Sequence, residues 1–158
     1  RRFPLITTPF RSFQHLLTKA SQVACLACVK DHLEPGGRLI LDVFQPDAEI
    51  TDGPHGSPVE DVHAVTLPHG RTLRRITRVM ATHPETCIAD IQMVYELTGP
   101  EQHVTRYIQA FKWRYFFREQ LEALLAECGF AIRALYGNYD RSPHTDQSPE
   151  MVFLAERP

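Results

Sequence analysis

Three clusters of polar and aromatic residues contain the side chains best suited to binding and proton transfer. They are Pro9–Leu16, which includes Arg11 and His15, then Lys112–Arg118, and Tyr136–Asp140. Histidine titrates near neutral pH, so a histidine in such a cluster can accept a proton from a bound group. The sequence contains no G-x-S-x-G, P-loop, H-E-x-x-H or paired-carboxylate motif. The clusters alone therefore leave the reaction open.

Length, composition and charge predict one globular domain. The chain has 158 residues, of which 43% are hydrophobic and 23% are charged, values typical of soluble proteins. Seventeen Lys and Arg against nineteen Asp and Glu give a net charge of −2, which argues against a nucleic-acid partner. No apolar run approaches the ~18 residues that span a bilayer, and the N-terminus lacks the pattern of a signal peptide. We therefore expect neither a nucleic-acid nor a membrane partner.

The four cysteines indicate free thiols. Cys25, Cys28, Cys87 and Cys128 are too few for a disulfide scaffold. Cys25 and Cys28 lack the second ligand pair of a zinc site, and we interpret them as small core residues of a helix. A cytoplasmic protein without a metal is the prediction.

A strand–helix–strand unit would position the first cluster. Phe3–Thr8 is a short apolar run that predicts a buried strand. Thr18 can cap the helix that follows, and Leu39–Phe44 is a nearly continuous apolar run, typical of a strand covered on both faces. Ligands of parallel sheets bind beyond the carboxyl ends of the strands, here near Thr8–Phe10 and Phe44–Pro46.

The spacing of the apolar residues changes in the middle of the chain. Residues 45–70, rich in proline and glycine, predict a loop or cover segment. Apolar residues then alternate with polar ones from Cys87 to Leu97, which predicts a half-exposed antiparallel strand. With Leu73–Thr82 and Val104–Tyr115 it would form a three-stranded sheet, whose arginines we interpret as a solvated face paired with acidic residues.

The last part returns to the α/β pattern. Phe117–Cys128 predicts an amphipathic helix closed by Gly129, and Ala131–Tyr136 and Met151–Ala155 predict two strands. The expected domain spans residues 1–158 in three parts, which are 1–44, 45–116 and 117–158.

Four short segments have the order and spacing of the motifs of one enzyme family. Leu33–Asp42 reads LEPGGRLILD, and Leu121–Phe130 reads LEALLAECGF. They resemble the L-x-P-G-G-x-L turn into the fifth strand and the LL-x-x-x-GF helix end of class I S-adenosylmethionine-dependent methyltransferases. Ser12–Leu16 is similar to the N-S-F-x-H-L loop of the glycine N-methyltransferase-like members, and Gly137–Tyr139 is similar to their G-D-F segment.

The resemblance implies an α/β fold, a partial Rossmann-like class I methyltransferase sheet with an inserted three-stranded antiparallel β-sheet as a lid. It implies transfer of a methyl group from S-adenosyl-L-methionine to a small-molecule N, O or C acceptor by in-line displacement. The family's glycine-rich loop and ribose-binding acidic residue have no counterpart in this sequence. We therefore expect the C-terminal portion of a longer enzyme, inactive alone. The alternatives are a non-catalytic binding or dimerisation module and a small-ligand-binding α+β domain.

The resemblance also implies roles for the residues of the first cluster. Thr8, Pro9 and Phe10 would line the methionine and sulfonium end of the cofactor, with the ring of Phe10 facing the cation. Arg11 would bind the acceptor, and His15 would orient it or take its proton. The structural alternatives are a core position for Phe10, a surface ion pair for Arg11 and a packing or capping role for His15.

Three residues from the other clusters are substrate-binding candidates. Lys112 matches a basic, carboxylate-binding position of the glycine N-methyltransferase-like enzymes, and Tyr115 and Tyr139 could close the pocket. The alternative for the tyrosines is burial with one satisfied hydroxyl. A small-molecule acceptor is the expected partner, and an exposed sheet edge would favour a homo-oligomer.

Overall fold

A computed structural model describes residues 1–46, 51, 55–101 and 103–158. The chain divides into two compact units, of which the first combines Arg1–Asp47 with Arg114–Pro158 and the second is Ala48–Trp113. The candidate residues near both chain ends therefore belong to the first unit. In the described part of the chain, no helix is long and apolar enough to cross a membrane.

The first unit begins with the predicted strand–helix–strand. Strand β1 (Phe3–Thr8) pairs in parallel with β2 (Leu33–Phe44), and helix α1 (Lys19–His32) connects them. The side chain of Thr18 caps α1 by accepting a hydrogen bond of 3.1 Å from the backbone N–H of Ser21. The prediction of a Thr18-capped helix between two strands is confirmed.

The remaining elements of the first unit complete a four-stranded sheet. Helix α2 (Arg118–Glu127) precedes β7 (Ala131–Tyr136), and β8 (Glu150–Glu156) runs antiparallel to both β7 and β2. The sheet order is β1-β2-β8-β7. The last strand of the sequence thus lies in the middle of the sheet.

The core of this unit joins one face of the sheet to the two helices. Alternate residues of β2 and β8 point to this face because successive side chains of a strand alternate between its faces. The buried cluster comprises Leu39, Leu41, Val43, Met151, Phe153 and Ala155 from the sheet, with Leu26, Leu121, Leu124 and Leu125 from the helices.

Strand β1 is not the buried strand that the sequence predicts. Phe3 is 39% exposed and Leu5 is 49% exposed. The reason is that β1 forms one edge of the described sheet and pairs with β2 alone. The apolar run correctly identifies a strand here, but the burial of that strand depends on whether other strands pair with both of its edges.

Among its described residues, the second unit contains four paired strands, so the predicted count of three is wrong. They are β3 (Pro58–Leu67), β4 (Arg71–His83), β5 (Ile88–Thr98) and β6 (Val104–Arg114), in the order β3-β4-β5-β6. Strand β3 lies within the segment predicted as a loop, of which positions 47–50 and 52–54 are outside the described residues.

Irregular pairing explains why β3 escapes detection. Its register against β4 shifts twice, between Val59 and Val62 and between Val62 and Val65. Such shifts interrupt the two-residue period that identifies a strand in a sequence. The predicted pairing of surface arginines is confirmed for Arg106, whose Nε lies 2.8 Å from an oxygen of Glu96.

Candidate functional site

The main chain makes an unusual turn directly after β1. Phe10 and Arg11 both have φ of 58°, in the left-handed region that residues with a side chain seldom adopt. A short 3-10 helix, Ser12–His15, follows, and the N–H of Gln14 donates to the carbonyl of Arg11 at 3.0 Å. Two consecutive left-handed residues make this a strained turn that the surrounding structure must hold.

A buried carboxylate at the end of β2 receives two hydrogen bonds. Asp42 is 3% exposed. Its Oδ2 accepts the backbone N–H of Arg11 and the hydroxyl of Tyr139, each at 2.9 Å. Asp42 therefore connects the strained turn after β1 with the segment after β7, at the carboxyl end of the parallel pair where ligands of such sheets bind.

The side chain of Arg11 is engaged by a second buried carboxylate. Its Nη2 pairs with Oε1 of Glu150, and its Nε lies 3.4 Å from Oε2 of the same carboxylate. Glu150 is 6% exposed, and the guanidinium carbon of Arg11 lies 5.6 Å from the ring centre of Phe44. A carboxylate taken out of water is costly unless it is paired, so Arg11 supplies the charge that Glu150 needs.

Gln14 fixes the 3-10 helix to the same end of the sheet. Its side chain is almost fully buried. The Nε2 of Gln14 donates to the carbonyl of Arg114 at 2.9 Å, and its Oε1 accepts the N–H of Phe44 at 3.1 Å. The amide satisfies buried backbone groups on both sides, which fixes the orientation of the helix that carries His15.

The segment after β7 brings Tyr139 to Asp42 through a close approach at Gly137. The N–H of Gly137 donates to the carbonyl of Ser142 at 2.8 Å, and its carbonyl accepts from the N–H of Glu150 at 3.2 Å. A Cβ at this position would lie 2.2 Å from Oγ of Ser148. Only glycine leaves room for the segment to fold back onto the sheet.

The hydroxyl of Tyr139 resists ionisation. Burial of the hydroxyl raises the pKa of Tyr139 to about 12, and the hydrogen bond to Asp42 acts in the same direction. The ring is nevertheless 63% exposed, so the effect belongs to the hydroxyl that faces Asp42. Because the folded pKa lies above the ~10 of an unfolded tyrosine, the stabilisation is complete below about pH 10. It is lost as the pH rises through about 12.

We expect the Tyr139→Phe variant to lose a tyrosinate absorbance that appears only at strongly alkaline pH. The difference at 295 nm between the original chain and the variant should have its midpoint near pH 12. A Tyr107→Phe variant, which removes an exposed ring of β6, calibrates the absorbance of one tyrosine. A Tyr139 midpoint near pH 10 would contradict the bond to Asp42.

The other predicted site residues lie in different environments. Phe10 is 91% exposed, so the core alternative is wrong. Pro9 is exposed and Thr8 is half-buried, with a buried hydroxyl that has no hydrogen-bond partner among the described residues. His15 is exposed at the end of the 3-10 helix. The first cluster thus borders one end of the sheet.

The two remaining candidates are engaged within the protein. Lys112 lies on β6 in the second unit, where its Nζ pairs with Oδ1 of Asp90 and lowers the pKa of that carboxyl. Tyr115 is 1% exposed, and its ring packs edge-on against Phe117 with 5.9 Å between the ring centres. Tyr115 therefore has the buried position that the sequence left as its alternative.

Sequence reasoning missed three residues of the constellation. Asp42 is the one charged residue in the run Leu39–Phe44, and a carboxylate in a strand of this kind is a signal that could have been used. Glu150 and Gln14 stand at ordinary-looking positions beside a predicted strand and within a loop. Their roles emerge only when the fold brings distant segments together.

Comparison with known proteins gives relatives of one kind, although no family model matches the chain. The dTDP-3-amino-3,6-dideoxy-alpha-D-glucopyranose N,N-dimethyltransferase of Streptomyces fradiae is 27% identical over 137 residues, which cover 87% of this chain and 50% of that enzyme. The cypemycin N-terminal methyltransferase of a Streptomyces species is 26% identical over 155 residues, 98% of this chain and 58% of that enzyme. This chain therefore spans about half the length of both relatives.

A solved structure agrees with these relatives. The amino pentose methyltransferase from Micromonospora echinaspora involved in calicheamicin biosynthesis, solved with bound S-adenosylmethionine, superimposes with a TM-score of 0.71 at 22% identity. The match covers 99% of this chain and 59% of that one. The chain therefore has the fold of the S-adenosylmethionine-dependent class I methyltransferases, as its motifs predict.

Proposed function

We propose that this chain forms the acceptor-side part of an S-adenosylmethionine-dependent methyltransferase that methylates an amine of a small molecule. The observation that carries the proposal is the constellation at the carboxyl ends of β1 and β2. There Asp42 joins Arg11 to Tyr139, and Glu150 pairs with Arg11. The relatives support the reaction class, because each of the two curated names specifies a methyltransferase.

The residues at the carboxyl end of β1 fit the sulfonium end of the methyl donor. When bound, S-adenosylmethionine supplies an electrophilic methyl group on a cationic sulfur. The exposed ring of Phe10 can face a cation. The buried hydroxyl of Thr8 has no hydrogen-bond partner among the described residues, so a polar group bound beside it would relieve the cost of that unmet bond. This chain would hold one end of the donor.

The charges at the site favour an amine as acceptor. Arg11 carries one positive charge, whereas Asp42 and Glu150 together carry two negative ones. An amine nitrogen gains positive charge as its lone pair forms the new bond to carbon and the carbon–sulfur bond breaks. Because Arg11 neutralises Glu150, the net negative charge is that of Asp42, and a carboxylate at such a site would stabilise the developing charge. The names of the two relatives, one acting on an amino sugar and one on a peptide N-terminus, agree with an amine.

His15 is our candidate for the group that accepts the proton lost by the amine. It lies at the end of the 3-10 helix that follows the strained turn, and its exposure allows the proton to pass on to water. The rest of the acceleration would come from orientation and exclusion of water, as expected for a displacement without a covalent enzyme intermediate.

The test is methyl transfer by the complete protein that contains this chain. Tritium from methyl-labelled S-adenosylmethionine is followed into amino sugars, their nucleotide derivatives and peptide N-termini, each beside its hydroxyl analogue. We expect label in an amine and none in its analogue. We further expect His15→Ala to lower turnover about 100-fold, with donor affinity nearly unchanged.

The control is His103→Ala, which removes an exposed histidine of the second unit and should retain the original rate. Methylation of the hydroxyl analogues instead of the amines would contradict the proposed acceptor. An undiminished rate in His15→Ala would remove this histidine from the reaction. The 158-residue chain alone is expected to show little or no binding of S-adenosylmethionine by calorimetry.

A further inference from the structure

The strained turn after β1 presents an apolar ring to its surroundings. Phe10 and Arg11 are both left-handed, yet the ring of Phe10 is 91% exposed. Two strained residues in succession are unusual where the side chain gains no burial, and such strain concentrates at functional sites. Something other than packing of Phe10 must hold the turn.

Two buried carboxylates hold it, one through the main chain and one through a side chain. Asp42 accepts the backbone N–H of Arg11 at 2.9 Å, which fixes the peptide between Phe10 and Arg11. Glu150 binds the guanidinium of Arg11 through both of its oxygens. The two carboxylates come from β2 and from the start of β8, so the turn is attached to two strands of the sheet.

The contact with Glu150 changes the role of Arg11. A guanidinium that already binds a carboxylate through two nitrogens has most of its charge satisfied. It is therefore poorly suited to bind an anionic group of an acceptor, which is the role implied by the resemblance. The geometry instead makes Arg11 the connection between Glu150 and the turn.

We infer that Glu150 is a positioning residue, which acts through Arg11 to hold Phe10 at the carboxyl end of β1 in the orientation that methyl transfer requires. The kinetic part of this inference rests on the proposed function, whereas the structural part does not. If the pair is broken, the turn should open more often and Phe10 should lose its fixed position. A small displacement of a group beside the reacting atoms is enough to slow such a reaction.

The structural part is tested by amide hydrogen exchange on the complete protein. We expect Glu150→Gln to speed the exchange of the peptide covering residues 9–16 at least about tenfold, because the Arg11 amide loses protection whenever the turn opens. The matched control is Glu156→Gln on the same strand. It breaks an ion pair with Arg133, whose N–O distance is 2.7 Å, at the other end of β8.

Unchanged exchange in Glu150→Gln would overturn the inference, and so would an equal increase in Glu156→Gln, which would indicate general destabilisation. Should Glu150→Gln fail to fold, Arg11→Met breaks the same pair from its more exposed side and must give the same local increase. These outcomes need no acceptor, so they decide the structural part even if the complete protein methylates nothing and the proposed function fails.

The kinetic part is tested with the acceptor identified by the transfer assay. We expect Glu150→Gln to lower kcat about tenfold, with the acceptor KM and the affinity for S-adenosylmethionine within about threefold. Because Glu150 acts through Arg11, the double variant with Arg11→Met should be no slower than either single variant. The role of Glu150 in the reaction would be overturned by an unchanged kcat in Glu150→Gln. It would also be overturned if the losses of kcat in the two single variants multiplied in the double variant.

Discussion

Replacing Asp42 by alanine is expected to lower the free energy of unfolding by about 2–4 kcal/mol, measured by urea denaturation. The substitution removes the acceptor for the Arg11 amide and for the Tyr139 hydroxyl. Both hydrogen bonds are made to a charged acceptor, and bonds of this kind contribute about 1.5–3 kcal/mol each, which is why the loss exceeds the value of an ordinary hydrogen bond.

The matched variant is Asp42→Asn, which retains one side-chain oxygen at the same place. It should lose about half as much stability as Asp42→Ala, because an amide oxygen in the place of Oδ2 still accepts both hydrogen bonds while the charge that strengthens them is gone. If the free energy of unfolding of Asp42→Ala lies within about 0.5 kcal/mol of that of the original chain, Asp42 does not hold the turn.

Phe153→Ala should destabilise the first unit even more, by about 3–5 kcal/mol. The side chain of Phe153 is fully buried in the core cluster. Its residue stands opposite Leu41 on one neighbouring strand and opposite Leu135 on the other. Removing the ring leaves a cavity that strands paired on both sides cannot easily close.

Phe10→Ala provides the contrast, since it deletes the same ring at an exposed position. We expect a change within about 0.5 kcal/mol, because neither burial nor the left-handed backbone conformation depends on the ring. Chemical denaturation of both variants under the same conditions gives the comparison. A large loss in Phe10→Ala would show that its ring packs against the protein.

The order of the elements could be predicted because period and caps are local properties of the sequence. Thr18 caps the start of α1, and Gly129, with a φ of 76°, follows the end of α2. What escaped prediction depends on partners distant in sequence. Strand β3 is irregular in register, and β1 is exposed because the described sheet places no strand on its outer side.

The same distinction applies to the candidate site. Arg11 and Tyr139 stand out in the sequence because they lie in polar and aromatic clusters outside the apolar runs. Asp42 and Glu150 do not, since one is 31 residues and the other 139 residues away from Arg11. Contacts of this range follow from the topology of the sheet and from no local pattern.

The central position of β8 has a consequence for how the protein forms. Its pairing partners β2 and β7 are made first, but β2 and β7 cannot join until Glu150–Glu156 enters between them. During synthesis, the edge of β2 that pairs with β8 therefore waits for more than a hundred residues before that partner exists. Contacts closed so late slow folding and leave intermediates exposed to aggregation. A chain whose synthesis stops before β8 would lack the strand that pairs with both β2 and β7, so the sheet of the first unit could not form.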